Sequence, residues 1–173
     1  LEIEGAARLR QLGWSKPIVL LESCFDAADL QTAIELKCDW VVHNEAQLRD
    51  LEVLAQRPLA HKPQIYLKFN TGMNRLGFQE PQTSTAIAWL DQFTSRNGWP
   101  CPVLMTHFAN ADEAQPRQRE PMAQAQFDRL IRVKPVRWQS SLGNSAGCLN
   151  FPELAGDIVR PGICIYGATP GPN

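Results

Sequence analysis

Short apolar runs alternate along this chain with longer stretches in which apolar residues recur every three or four positions, the signatures of strands and helices. Residues 1 to 12 read as a helix stopped by Gly13. Pro17 to Glu22 is apolar almost throughout, as a strand covered on both faces would be. Leu30, Ala33 and Ile34 then stripe a helix, and Asp39 to His43 reads as the next strand. Asn44 and Gln47 form a capping-box pattern at the start of a helix striped by Leu48, Leu51 and Ala55. Gln64 to Leu67 is a strand entering a core, and Ala86, Trp89, Leu90 and Phe93 mark a helix closed near Asn97-Gly98. Pro102 to Phe108 is a strand ending in histidine; a polar loop through Ala114 leads to a helix carrying Ala123, Phe127, Leu130 and Ile131. A weaker strand follows over Val136 to Leu142, then a helical turn from Asn144 to Leu149, then a last strand and glycine turn between Asp157 and Tyr166.

Strict alternation of this kind predicts an α/β fold built on a parallel sheet. Six strands are expected, near residues 17, 39, 64, 102, 137 and 157, in a single domain spanning 1–173. A closed eight-stranded barrel typically needs about 250 residues. No glycine-rich dinucleotide fingerprint follows the first strand. The alternation itself leaves an open sheet and an incomplete barrel both standing.

Charge and composition narrow the function classes. A net charge of -1 over 173 residues, with no basic stripe, argues against nucleic-acid binding. No apolar run nears the roughly 20 residues that span a bilayer, and no signal-peptide pattern is present. Five scattered cysteines without a C-x-x-C pair predict reduced, mostly buried thiols and no zinc site. Trp14, Trp40, Trp89 and Trp138 read as packing residues, and His43 and His61 as structural ones.

Loops at the carboxyl ends of parallel strands carry the chemistry of such folds. Taking the strand ends in turn gives Lys68 with Arg75, His107, Asn144 with Ser145, and Arg160 followed by Gly162 and Ile163. Two cations on one rim call for an anion between them. Ser145 can offer a hydroxyl and an amide to a phosphate, and Gly162-Ile163 can offer backbone N–H groups. On the residues alone, bland readings stand beside these: Lys68 and Arg75 as surface cations, His107 as a core histidine, Ser145 as a helix cap, Arg160-Pro161-Gly162 as a turn.

Four stretches tip the balance. Lys68 with Thr71-Gly72-Met73-Asn74-Arg75-Leu76-Gly77 resembles a signature of bacterial alanine racemases. So do Met105 to Glu113, Asn144 to Gly147 and Val159 to Gly167, in the family's order. The resemblance covers essentially the whole chain. It implies a partial (β/α)8 TIM-type barrel carrying the third to eighth strands and lacking the first two strands and the C-terminal β domain. It implies pyridoxal 5′-phosphate as cofactor and interconversion of L- and D-alanine by two-base proton transfer, supplying peptidoglycan. It further implies a bacterial, cytoplasmic homodimer with no nucleic-acid or membrane partner and no metal.

Roles follow residue by residue from the same resemblance. Arg75 would bond the cofactor's phenolic oxygen and place the substrate carboxylate. Lys68 would be carbamylated, its new carboxylate pairing with Arg75. His107 would stack on the pyridine ring, and Arg160 would face the pyridine nitrogen. Asn144, Ser145, Gly162 and Ile163 would hold the phosphate. The family's Schiff-base lysine motif and its catalytic tyrosine match nothing among these residues, so the 173-residue chain is expected to be inactive alone. Asn70 replaces a frequent aspartate, which weakens the expected network around Arg75. Two further classes fit less closely: a broad-specificity amino-acid racemase, and a non-enzymatic pyridoxal-phosphate-binding barrel.

Overall fold

The structure is a computed structural model describing residues 3–113 and 116–171, with only the backbone of 116–119. Five strands form one sheet in the order β1-β2-β3-β4-β5. They are β1 (Val19–Leu20), β2 (Asp39–Val42), β3 (Ile65–Lys68), β4 (Val103–Met105) and β5 (Gln139–Ser141). Pairing is parallel between β1 and β2, β2 and β3, and β4 and β5. The helices are α1 (Ile3–Gln11), α2 (Ala27–Glu35), α3 (Glu45–Ala55), α4 (Glu80–Asn97), α5 (Pro116–Val133) and α6 (Ser145–Asn150).

The chain divides into two compact units, residues 1–67 with 85–102, and residues 68–84 with 103–173. In the first, local signals and burial agree. Asp26 caps α2 by accepting from the amides of Ala28 and Asp29, and Asn44 caps α3 by accepting from Gln47. Such caps are each worth about 1 kcal/mol. Gln47 reaches back as the capping box predicts, but its side chain takes the amide of His43, at 2.8 Å. α3 buries Leu48, Leu51 and Leu54, each worth about 1.5–3 kcal/mol of burial. The α1 helix ends where expected, with Gly13 at φ +87° and the Trp14 amide bonded to the Leu9 carbonyl.

The second unit opens with Lys68, the last residue of β3. Its loop folds back at once: the Phe78 amide donates to the Lys68 carbonyl and the Asn70 amide to the Phe78 carbonyl, both at 2.9 Å. Gly77 makes that close approach possible, since it sits at φ +120°. A Cβ there would lie 2.8 Å from the Asn70 nitrogen and 2.9 Å from the Lys68 oxygen. In α5, Ala123 and Leu130 are buried as the stripe predicts.

Several expectations need correction. Among the described residues there is no strand at 157–166; that segment carries a 3-10 turn at Ile163–Tyr166. Two successive amides share one acceptor there: Asp157 and Ile158 both donate to the Ser140 carbonyl, and a ladder cannot continue that way. Pro161, which has no N–H, follows. β1 is only two residues long, because Ser23 at φ +72° turns the chain back to bond the Leu20 carbonyl. Standing first in the sheet order, it leaves Val19 partly exposed. Trp14 and Ile131 are exposed, and of the five free cysteines only Cys38 is buried. Ala114, in the predicted polar loop, lies outside the described residues. No described helix is long and apolar enough to cross a membrane.

Candidate active site

Every residue singled out from the strand ends falls in the second unit. His107 follows β4 and is partly buried. The Arg160 guanidinium approaches its Nδ1 at 3.4 Å, and the Asn144 amide nitrogen approaches its Nε2 at 3.3 Å. The Asn144 amide cannot be turned over, because its oxygen caps α6 by accepting from the Gly147 amide at 2.8 Å. Both ring nitrogens therefore face donors, which suits an imidazolium, able only to donate, less well than a neutral ring that keeps one acceptor. Burial first, then the charges of Arg160, Arg75 and Lys68, bring His107 down from 6.5 to about 4. The ring is neutral at physiological pH.

Arg160 is held from several sides. It donates to the Ser141 hydroxyl, to the Thr106 carbonyl at 2.7 Å and to the Leu142 carbonyl at 3.3 Å. Its own amide bonds the Gly143 carbonyl at 2.8 Å. Ser141 passes its proton on to the Ile158 carbonyl at 2.7 Å, so the hydroxyl is free to accept from the guanidinium. An arginine keeps its proton throughout, so this is a permanent positive charge beside a neutral imidazole.

Ser145 opens α6 and is buried; its hydroxyl accepts from the Cys164 amide at 3.3 Å. That bond ties α6 to the 3-10 turn that begins at Ile163. Gly162 stands just before the turn with nothing within 4 Å of where a side chain would begin, so its backbone is open to approach. Gly147, by contrast, is a packing glycine: a Cβ there would meet the Phe108 ring at 2.7 Å.

Lys68 is buried at the end of β3, while Arg75 is exposed on the loop. Both act electrostatically on His107, which brings four cationic or imidazole groups into one field. Asn70 does more than stand in for an aspartate. Its oxygen accepts from the amides of Gly72 and Asn74, and its nitrogen donates to the Asn74 side chain at 3.1 Å, a bond no carboxylate makes. Asn74 itself sits at φ +59°, a conformation asparagine tolerates.

Sequence reasoning passed over four residues: Thr106, Gln126, Arg129 and Ser141. Gln126 left a readable trace, since it lies three positions from Ala123 and four from Leu130 in the buried stripe of α5. Ser141 left one too, as a polar residue ending a buried strand.

Cations and donors gathered at the carboxyl ends of parallel strands are the arrangement of α/β-barrel proteins, and the fold class here is α/β, a partial barrel with parallel strands. The sequence model of the alanine racemase N-terminal domain matches residues 1–170, and the chain belongs to that family. The alanine racemase of Nitrosomonas eutropha is 40% identical over 173 residues, which are 100% of this chain and 46% of the relative. That of a Janthinobacterium species is 41% identical over 172 residues, 99% of this chain and 46% of the relative. The solved alanine racemase of Acinetobacter baumannii superposes with a TM-score of 0.84 at 33% identity, over 98% of this chain and 46% of that one. The biosynthetic alanine racemase of Pseudomonas aeruginosa gives 0.81 at 33% identity, over 99% and 46%. The chain thus spans just under half the length of these relatives.

Proposed function

We propose that the whole protein interconverts L- and D-alanine with pyridoxal 5′-phosphate, and that residues 1–173 form part of its cofactor-binding barrel domain. The observation that carries this reading is the neutral His107 flanked by Arg160 and Asn144, in a chain of this family. The donor set suits a flat, anionic, nitrogen-containing ring. His107 offers an uncharged face. The Ser145 hydroxyl and the backbone of Asn144, Gly162 and Ile163 offer donors for a phosphate. Arg75, exposed on its loop, would bond a phenolate oxygen and a substrate carboxylate.

Pyridoxal phosphate, when bound, supplies the electron withdrawal that loosens the proton on a substrate's α carbon. Arg160 would face the ring nitrogen, to which an arginine cannot give up a proton. The electron withdrawal supplied there would be moderate, which would favour reprotonation at the α carbon over side reactions. Lys68 is the candidate for carbamylation, with Arg75 as partner of the new carboxylate; a labelled-carbon-dioxide NMR signal that vanishes in Lys68→Ala would mark it. A bacterial cytoplasmic homodimer is the assembly that this reading carries with it.

The test is a racemisation assay of the whole protein with alanine, serine and lysine. Preferential turnover of alanine is expected. Equal turnover of lysine would shift the reading to a broad-specificity racemase, and no turnover of any of the three would overturn it.

A further inference from the structure

Gln126, on α5, is buried to 5% exposure and uses every hydrogen-bonding position of its amide nitrogen on the site's two halves. Its Nε2 donates to the Thr71 hydroxyl at 2.9 Å and to the His107 carbonyl at 3.0 Å. Its Oε1 accepts from the Ala109 amide at 2.9 Å. A flipped amide would set oxygen against the His107 carbonyl and NH2 against an N–H, so the orientation is unique. Thr71, 1% exposed, lies 2.7 Å from the equally buried Thr106 hydroxyl. Thr106 in turn lends its carbonyl to Arg160. One helical turn beyond Gln126, Arg129 donates to the Thr71 carbonyl at 2.9 Å.

Thr71 begins the loop that carries Arg75, and Asn70 braces the same loop from inside. We infer that Gln126 is a positioning residue, a bracket whose one amide sets the Arg75 loop and the His107 segment in register. Without it the loop keeps its internal bonds and loses its registry with the imidazole. The inference rests on the cofactor-site reading above, but the bracket can be tested without it.

The experiment compares amide exchange and pyridoxal 5′-phosphate affinity in the whole protein and in its Gln126→Glu, Thr71→Val and Thr71→Ser variants. Gln126→Glu keeps an acceptor for Ala109 and loses both donors. Thr71→Val removes only the hydroxyl and decides the matter if Gln126→Glu fails to fold. The amides of Gly72 and Asn74 should exchange at least about tenfold faster in Gln126→Glu, and in Thr71→Val, which breaks the hydroxyl's bonds to both Gln126 and Thr106. Those of Val41 and Leu104 should not change. Cofactor affinity should weaken by a similar factor of about ten and return in Thr71→Ser. Unchanged loop exchange in Thr71→Val would overturn the bracket. So would unchanged affinity in a chain that binds the cofactor. If the unmodified whole protein binds no cofactor, the proposed function falls, and the exchange pattern alone decides the role of Gln126.

Discussion

The two compact units follow the same strand-then-helix plan and differ in what they bury. The first fills its interior with leucines and aromatic rings and closes its helices with local caps. Its clearest buried acid, Asp39, stands at the amino end of β2. The second buries more polar groups, the Gln126 amide on α5 among them, and several stand where strands finish: Lys68 ends β3, Thr106 follows β4 and Ser141 ends β5. Polar groups cost free energy to bury unless bonded, so their density at carboxyl ends marks where folding stability has been traded for a site. The titrating groups repeat the contrast. Burial raises Asp39, offset by the Gln64 amide and by His61, while burial and three cations lower His107.

Substitutions should separate the two designs. The largest effect belongs to the first unit: Leu51→Ala, at a fully buried position, should cost about 2–5 kcal/mol in denaturant unfolding. Gly77→Ala should cost less, of order 1–3 kcal/mol, because a left-handed backbone is strained and the new Cβ meets main chain it cannot move. Its distinguishing sign is local: loop 70–77 should lose exchange protection before the sheet does.

Acid should draw a finer line. Above pH 6.5 His107 is neutral folded and unfolded. Between 6.5 and about 4 the unfolded chain takes up a proton that the folded one refuses, so stability falls through that window. Asp39 works the other way. Its raised value lets the folded chain accept a proton first, so its contribution grows as pH drops toward 3.8. His107→Gln should flatten the acid loss seen in urea midpoints, and Asp39→Asn should steepen it. The reverse pair of outcomes would mean that the two environments have been assigned the wrong way round.

The thiols give the smallest effect. Cys101 is exposed and should be alkylated first, while burial, aided by Asp29, pushes Cys24 up to about 12 and keeps it slow. Cys101→Ser should change stability by no more than about 0.5 kcal/mol.

Legibility followed the same division. In the first unit, caps and apolar stripes are local, and the helices bounded by Asn44 and Gly13 begin or end where those signals lie. Strand lengths were less legible. β1 stops at a left-handed serine, and the segment after Asp157 is shaped by paired amides sharing one acceptor, neither of which a hydropathy pattern records. In the second unit the rim residues were visible as types at strand ends, and His107, Asn144 and Arg160 do meet. What joins them was hidden, because Gln126 and Ser141 act through bonds between segments distant in sequence. Periodicity reports which face is buried and is silent on what a buried amide touches.

If the donors of the second unit receive a phosphorylated ring, a pyridoxal 5′-phosphate titration of the whole protein against Ser145→Asp shows it directly. Saturable binding is expected in the unmodified protein. A carboxylate facing the phosphate should weaken it about a hundredfold, with Cys101→Ser unaffected. Equal binding by Ser145→Asp, or none by the unmodified protein, would contradict the account.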